Sequence, residues 1–184
     1  MILFRFKTTM KVHPETLPSA SVALVVVEKN SERQILLLQR AHNLRDAWSG
    51  HLAFPGGKFE MGDRDLLATA IRETREECGI VLTEQDMVRA LPVAPAGKSG
   101  KNPIWVQPWL FVLDQFPVIE LDAAEMQGAF WLEAGKFQDL KNHGCFEPFP
   151  GGSFPCFWVE NQVLWGFTYG VLCQYLGLDH DRAS

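Results

Sequence analysis

Three carboxylates and two glycines define the chemistry open to this chain. Glu73, Glu76 and Glu77 stand at i, i+3 and i, i+4 spacing, so on a helix their side chains crowd one face. Clustered carboxylates repel one another and resist full ionisation unless a cation sits among them. Upstream, Phe54-Pro55-Gly56-Gly57-Lys58 is a turn whose glycines let the main chain approach a ligand or metal closely. The loop 58–62 then carries Glu60 and Asp63 toward the start of the helix. Hard oxygen donors of this kind suit Mg2+ or Mn2+, which keep several waters and share phosphate oxygens. Such an ion activates water and neutralises charge on a leaving phosphate, so the chemistry in prospect is cleavage of a phosphoanhydride. Spacing alone leaves a second reading open, that of a solvated acidic face softened by Arg72 and Arg75.

The elements that must position these groups follow from periodicity. Residues 63–78 read as the clearest helix, with Leu67, Ala70, Ile71, Thr74 and Cys78 on one apolar stripe and the acids roughly opposite. Gly79 sits where a left-handed C-cap belongs. The β-branched run in 21–28, the polar turn 29–33 and the segment 34–40 form a hairpin. Residues 51–54 are a short extended piece stopped by Pro55 and the glycines. Strands are expected at 87–93 and 104–113, joined by the loop 94–103, and again at 129–132. A short helix near 135–140, a hairpin of 154–159 with 163–165, and a helix over 168–176 complete the chain. Hairpins together with strands around helices make the class α/β with a mixed β-sheet.

Composition excludes several functions. The 184 residues favour one domain, 1–184. The hydrophobic fraction of 47% suffices for a core, and the net charge of -5 argues against nucleic-acid or membrane-surface partners. No pair among Cys78, Cys145, Cys156 and Cys173 has C-x-x-C spacing, which argues against structural zinc and for reduced thiols. The apolar Met1–Phe6 stretch is too short for a signal core or membrane span, and the expected location is the cytoplasm. His42, His51 and His143 have no nucleophile partners, and Cys78 lies on the apolar stripe and reads as packing.

At Gly57, Asp63, Arg72-Glu73, Glu76-Glu77 and Gly79-Ile80 the chain resembles the Nudix hydrolase family, whose signature is a glycine, a later acid, then Arg-Glu-aliphatic-x-Glu-Glu-x-Gly-aliphatic. The resemblance implies a Nudix-type αβα sandwich with a loop-helix-loop metal site and a Mg2+ or Mn2+ cofactor. It extends to the flanking strands, to Glu125 before Phe130-Trp131 and to Trp165-Gly166. It implies that Glu76 and Glu77 are the principal ligands, that Glu73 ligates or positions water, and that Arg72 orients the carboxylates. The Gly57 carbonyl also faces the metal in this reading, and Glu125 is a candidate general base beside the helix acids. Two departures stand out. The early acid, which the resemblance makes a metal ligand, is Asp63 rather than Glu, one residue further from Arg72 than in the general pattern, with Glu60 and Asp65 as rivals for that role. Thr74 replaces an aliphatic residue.

The segment Leu36-Leu37-Leu38-Gln39-Arg40-Ala41, then Arg45, Gly50 and Phe54-Pro55-Gly56-Gly57, is similar to the upstream motif of the coenzyme A pyrophosphatase branch. Leu38 replaces a threonine there, and one extra residue precedes Gly50. The resemblance implies a small nucleoside diphosphate substrate, coenzyme A or an acyl-CoA, cleaved to 3′,5′-ADP and 4′-phosphopantetheine or its acyl form. Arg40 and Arg45 suit bidentate phosphate recognition, and Lys98 and Lys101 sit in a loop of the kind that flanks a nucleotide cleft. Trp48, Trp105, Trp109, Phe157 and Trp158 are candidates for contacts with adenine or pantetheine. The alternatives are a pyrophosphatase for ADP-ribose, a dinucleotide or a nucleotide sugar, and a binding module of the same fold without turnover, against which the three intact glutamates argue.

Overall fold

The computed structural model describes residues 17–43, 48–97 and 103–178. Arg45, Lys98 and Lys101 lie outside them. A mixed sheet of eight strands is the frame. Its central strand, β1 (Ala20–Lys29), is an almost unbroken buried apolar run, as a strand covered on both faces must be. On one side β1 pairs antiparallel with β2 (Glu32–Arg40), which pairs in turn with β3 (Leu52–Ala53) and with β8 (Met126–Glu133). On the other side β1 runs parallel to β7 (Ile104–Leu113), from Ala20 opposite Val106 to Val27 opposite Leu113. The strands β5 (Met87–Ala90) and β6 (Ala94–Ala96) pair with β7. A three-residue strand of two glycines and a lysine, β4 (Gly56–Lys58), pairs antiparallel with the start of β1.

Alternation along β1 and β2 divides the core. Ala23, Val25, Leu36 and Leu38 face the helix α1 (Leu66–Cys78), meeting Leu67, Ala70 and Cys78. Leu24, Val26, Ile35 and Leu37 face the opposite way, toward α2 (Ala134–Gln138), α3 (Gly166–Leu176) and a second sheet. That sheet is antiparallel and made of β9 (His143–Phe149), β10 (Gly152–Val159) and β11 (Gln162–Trp165). The expected mixed α/β architecture, a mixed sheet flanked by helices, is what the chain adopts.

Two expected loops or turns are strands, and the segment 143–149, for which periodicity offered no assignment, is a third. The Gly56-Gly57 turn and part of the 94–103 loop form β4 and β6, and β9 adds a strand beside the late hairpin. Each is short or rich in Gly and Pro, and is held by a partner strand rather than by its own propensity. The main helix starts at Leu66 rather than 63, because Asp65 is its N-cap and accepts a hydrogen bond from Ala68 N at 2.8 Å. Gly79 ends it at φ 72° with its N–H on the Arg75 carbonyl at 2.9 Å, as the sequence predicts.

Candidate active site

The glycines act through β4. Pairing with β1 places Gly56 opposite Val22 and Gly57 opposite Ser21, under the carboxylates of α1. The Gly56 N–H donates to Glu77 Oε2 at 2.9 Å. Gly56 has φ 151°, and a Cβ there would lie 2.6 Å from Val22 Cα. A Cβ on Gly57 would fall on the Glu73 carboxylate itself. Both glycines are therefore required by close approach, one to a neighbouring strand and one to an acid.

The helix acids do not all lie opposite the apolar stripe, which corrects the expectation from spacing. Glu77 is only 2% exposed and points inward at β4, while Glu76 is exposed. Burial pushes the Glu77 carboxyl up to about 8, against the Gly56 hydrogen bond that lowers it, with the charge of Glu73 adding to the rise. Burial likewise raises Glu73, opposed by Arg72. The exposed Glu125, from the turn before β8, adds its charge to both effects, so it lies close enough to act on the same acids. Its carbonyl accepts from Ala41 N at 2.7 Å, tying that turn to the end of β2. The last residue of β2 is Arg40, whose Nη1 stands 3.8 Å from Glu77 Oε1.

Arg72 organises the other side of the site. Its Nε and Nη2 donate to Asp63 Oδ1 and Oδ2 at 2.8 and 3.0 Å, a bidentate pair. Its Nη1 lies 3.0 Å from Glu73 Oε1 and 2.8 Å from Glu76 Oε2. Asp63 also accepts from Thr69 Oγ1 at 2.9 Å and from Glu60 N at 3.0 Å. Arg72 and these hydrogen bonds hold its carboxyl well below the usual carboxylate range. Both Asp63 oxygens are thus engaged, Asp65 is spent on the helix cap, and Glu60 contributes its backbone. Thr74, the departure from an aliphatic residue, is fully buried and turns its hydroxyl onto the Ala70 carbonyl at 2.7 Å.

Glu73, Glu76, Glu77, Arg72, Asp63, Gly57, Arg40 and Glu125 therefore come together from five segments. Among the described residues no three His, Cys, Asp or Glu side chains form a ready-made metal cluster. Arg72 holds Glu73 and Glu76, and the Gly56 N–H holds Glu77. The donor chemistry nonetheless fits a hard divalent cation. Two desolvated carboxyls with raised pKa are stabilised by whatever positive charge comes to rest beside them. Of the aromatic candidates, Phe157 is buried core and Trp109 is committed to Ser21 Oγ at 3.0 Å. Trp48 and Trp158 are 39% and 51% exposed. Nothing in the chain's spacing signals Gly56 as a donor to Glu77, because that role depends on a strand pairing that glycines do not announce.

A family model described as the NUDIX domain matches residues 18–149. An uncharacterized protein of Schizosaccharomyces pombe is 32% identical over 142 residues, covering 66% of this chain and 43% of that protein, so the chain spans less than half of this relative's length. A protein of Salmonella paratyphi B described as an uncharacterized Nudix hydrolase NudL is 30% identical over 171 residues, covering 86% of this chain and 82% of the relative. Among solved structures, a MutT/nudix family protein from Enterococcus faecalis has a TM-score of 0.60 at 14% identity, covering 89% of this chain and 62% of that one, a likeness of fold.

Proposed function

The chain belongs to the Nudix hydrolase family, and from that premise we propose that it hydrolyses the diphosphate of a nucleoside diphosphate derivative, with coenzyme A or an acyl-CoA as substrate. The observation that carries the hydrolytic reading is the meeting of the β4 glycines with the buried acids of α1. The residues to hold Mg2+ or Mn2+ are Glu73, Glu76 and Glu77 with the Gly57 carbonyl. The bound ion supplies charge neutralisation at the phosphate oxygens and a more acidic water. Arg72 sets the directions of Glu73 and Glu76, and Asp63 acts through Arg72 as a positioning residue. Glu125, beside Glu73 and Glu77, is the candidate to take a proton from the attacking water. Arg40, already 3.8 Å from Glu77, is placed to meet a phosphate bound at the acids.

The coenzyme A assignment rests on the upstream segment running from Leu36 through Arg40 to Gly57. A charge-assisted contact to the extra 3′-phosphate contributes about 1.5–3 kcal/mol. That predicts a roughly tenfold to hundredfold preference for coenzyme A over dephospho-coenzyme A in kcat/KM. The test is product release from coenzyme A, dephospho-coenzyme A, ADP-ribose and NADH with Mg2+ and with Mn2+. Coenzyme A should lead. If ADP-ribose leads, the branch assignment fails and the diphosphatase reading stands. If none is cleaved with either metal, the hydrolytic reading fails.

A further inference from the structure

The second sheet carries a row of rings that its own packing does not use up. Register puts Phe146 opposite Phe154 and Trp165 opposite Cys156, so these residues share one face. Phe157 and Leu164, paired on the other face, are buried in the core. The Trp165 ring stands 5.5 Å from both Phe146 and Phe154. All three are half-buried, and Phe149, 5.6 Å from Phe154, is 51% exposed. Adjoining rings that stay partly exposed, with Cys156 buried among them, make a candidate binding surface where single exposed apolar residues do not.

A chain of contacts leads from this face toward the acids. The His51 ring lies 5.1 Å from Trp165, edge to face. The His51 carbonyl accepts from Arg40 N at 3.1 Å, and the Arg40 side chain reaches Glu77. The junction is pinned from behind by Gln39, next to Arg40, whose Nε2 donates to Gln162 Oε1 on β11 at 2.8 Å. A ring contact, two hydrogen bonds and an ion pair thus link Trp165 and β11 to Arg40 and Glu77.

We propose that Trp165, with His51, Phe146 and Phe154, is the platform on which the planar base of a nucleotide substrate lies while its phosphates rest at the acids. The proposal rests on the diphosphatase reading and deepens it by naming where the nucleoside goes. A flat heteroaromatic base matches a platform of rings, since it stacks on π-faces and keeps its polar edges in water. β4 and α1 themselves carry no aromatic residue, and Phe59, just beyond β4, stands alone among the described residues, whereas β11 borders a group of rings and is the wall that recognises the base.

The probe pair is AMP and ribose 5-phosphate, which share the phosphate and differ in the base, titrated calorimetrically into the full chain with Mg2+. AMP should bind roughly five- to a hundredfold tighter. Trp165→Leu should collapse that gap and Trp165→Phe should keep most of it. With a cleaved nucleotide substrate, Trp165→Leu should raise KM while kcat stays within about twofold. In the wild-type protein the His51 and Trp165 ring resonances should shift with AMP and not with ribose 5-phosphate. Equal binding of the two probes, a gap that survives in folded Trp165→Leu, or ring resonances indifferent to AMP overturns the proposal. A base-dependent gap in a protein that cleaves no diphosphate would keep the platform and remove the hydrolytic reading.

Discussion

Removing Arg72 tests whether Asp63 works through it. The pair is bidentate at 2.8 and 3.0 Å, with Asp63 5% exposed and Arg72 25% exposed. Stripping the partner from a buried charge costs about 3–5 kcal/mol. Thr69 Oγ1 and Glu60 N remain on the carboxylate, and water reaches a quarter of Arg72, so the lower end applies. Arg72→Met should therefore cost about 3 kcal/mol at pH 7, and Asp63→Asn about 2 kcal/mol, since charge-assisted hydrogen bonds contribute about 1.5–3 kcal/mol. The double variant should lose little more than Arg72→Met alone, giving a coupling of about 1.5–2 kcal/mol. Because the folded Asp63 carboxyl is held below its usual range, this stabilisation is present above the ordinary carboxylate value and is lost as pH falls through the folded one. The cost of Arg72→Met should accordingly shrink between pH 7 and pH 3. Urea unfolding of the four proteins at both pH values measures all of this. A coupling below about 0.5 kcal/mol would falsify the pairing as the reason for Asp63. In activity assays, Asp63→Asn should lower kcat and leave the half-saturating Mg2+ concentration within about threefold; a tenfold rise would make Asp63 a ligand instead.

Four other expectations follow from the same site. Burial raises the Glu77 carboxyl from an ordinary 4.5 to about 8, so below pH 4.5 it is protonated in folded and unfolded chains alike. As pH climbs from there to 8 the unfolded chain loses its proton first, and the metal-free protein should lose stability, on the order of 5 kcal/mol in all. Melts of chelated wild type and Glu77→Gln at pH 5 and pH 8 should show that slope only in the wild type, and its survival in the variant would refute the cause. Gly57→Ala should fold within about 1 kcal/mol of wild type but lose at least roughly tenfold in turnover, since a Cβ there meets only the end of the Glu73 side chain and would push its carboxylate aside. Gly56→Ala should instead cost about 2–4 kcal/mol, because its Cβ meets the β1 backbone; equal melting temperatures for the two would count against β4 as described. Glu76→Gln should cut kcat at saturating metal by at least roughly a hundredfold with an unchanged melt, and near-normal kcat would remove Glu76 from the metal site.

Much of the frame was legible in the sequence because it rests on local rules. The apolar run of β1, the stripe of Leu67, Ala70, Thr74 and Cys78, and the stop at Gly79 are written in side-chain periodicity and in backbone freedom at a single glycine. The spacing of Glu73, Glu76 and Glu77 likewise puts three acids within about one turn of α1.

What spacing could not assign was the environment of each acid. Glu76 and Glu77 are neighbours in sequence, yet one is exposed and the other is buried against the Gly56 N–H, because β4 pairs with β1 beneath one edge of α1. The choice among Glu60, Asp63 and Asp65 also waited for the fold. Asp65 is taken by the helix cap and Asp63 by Arg72, nine residues on, a contact that needs the loop to curl back over the helix. Trp165 shows the same division. Its place in a late strand was readable, but its nearness to His51 joins residues more than a hundred positions apart. Local chemistry fixes which groups are available, and only strand pairing, by burying some of them and bringing distant ones together, decides their charge and their partners.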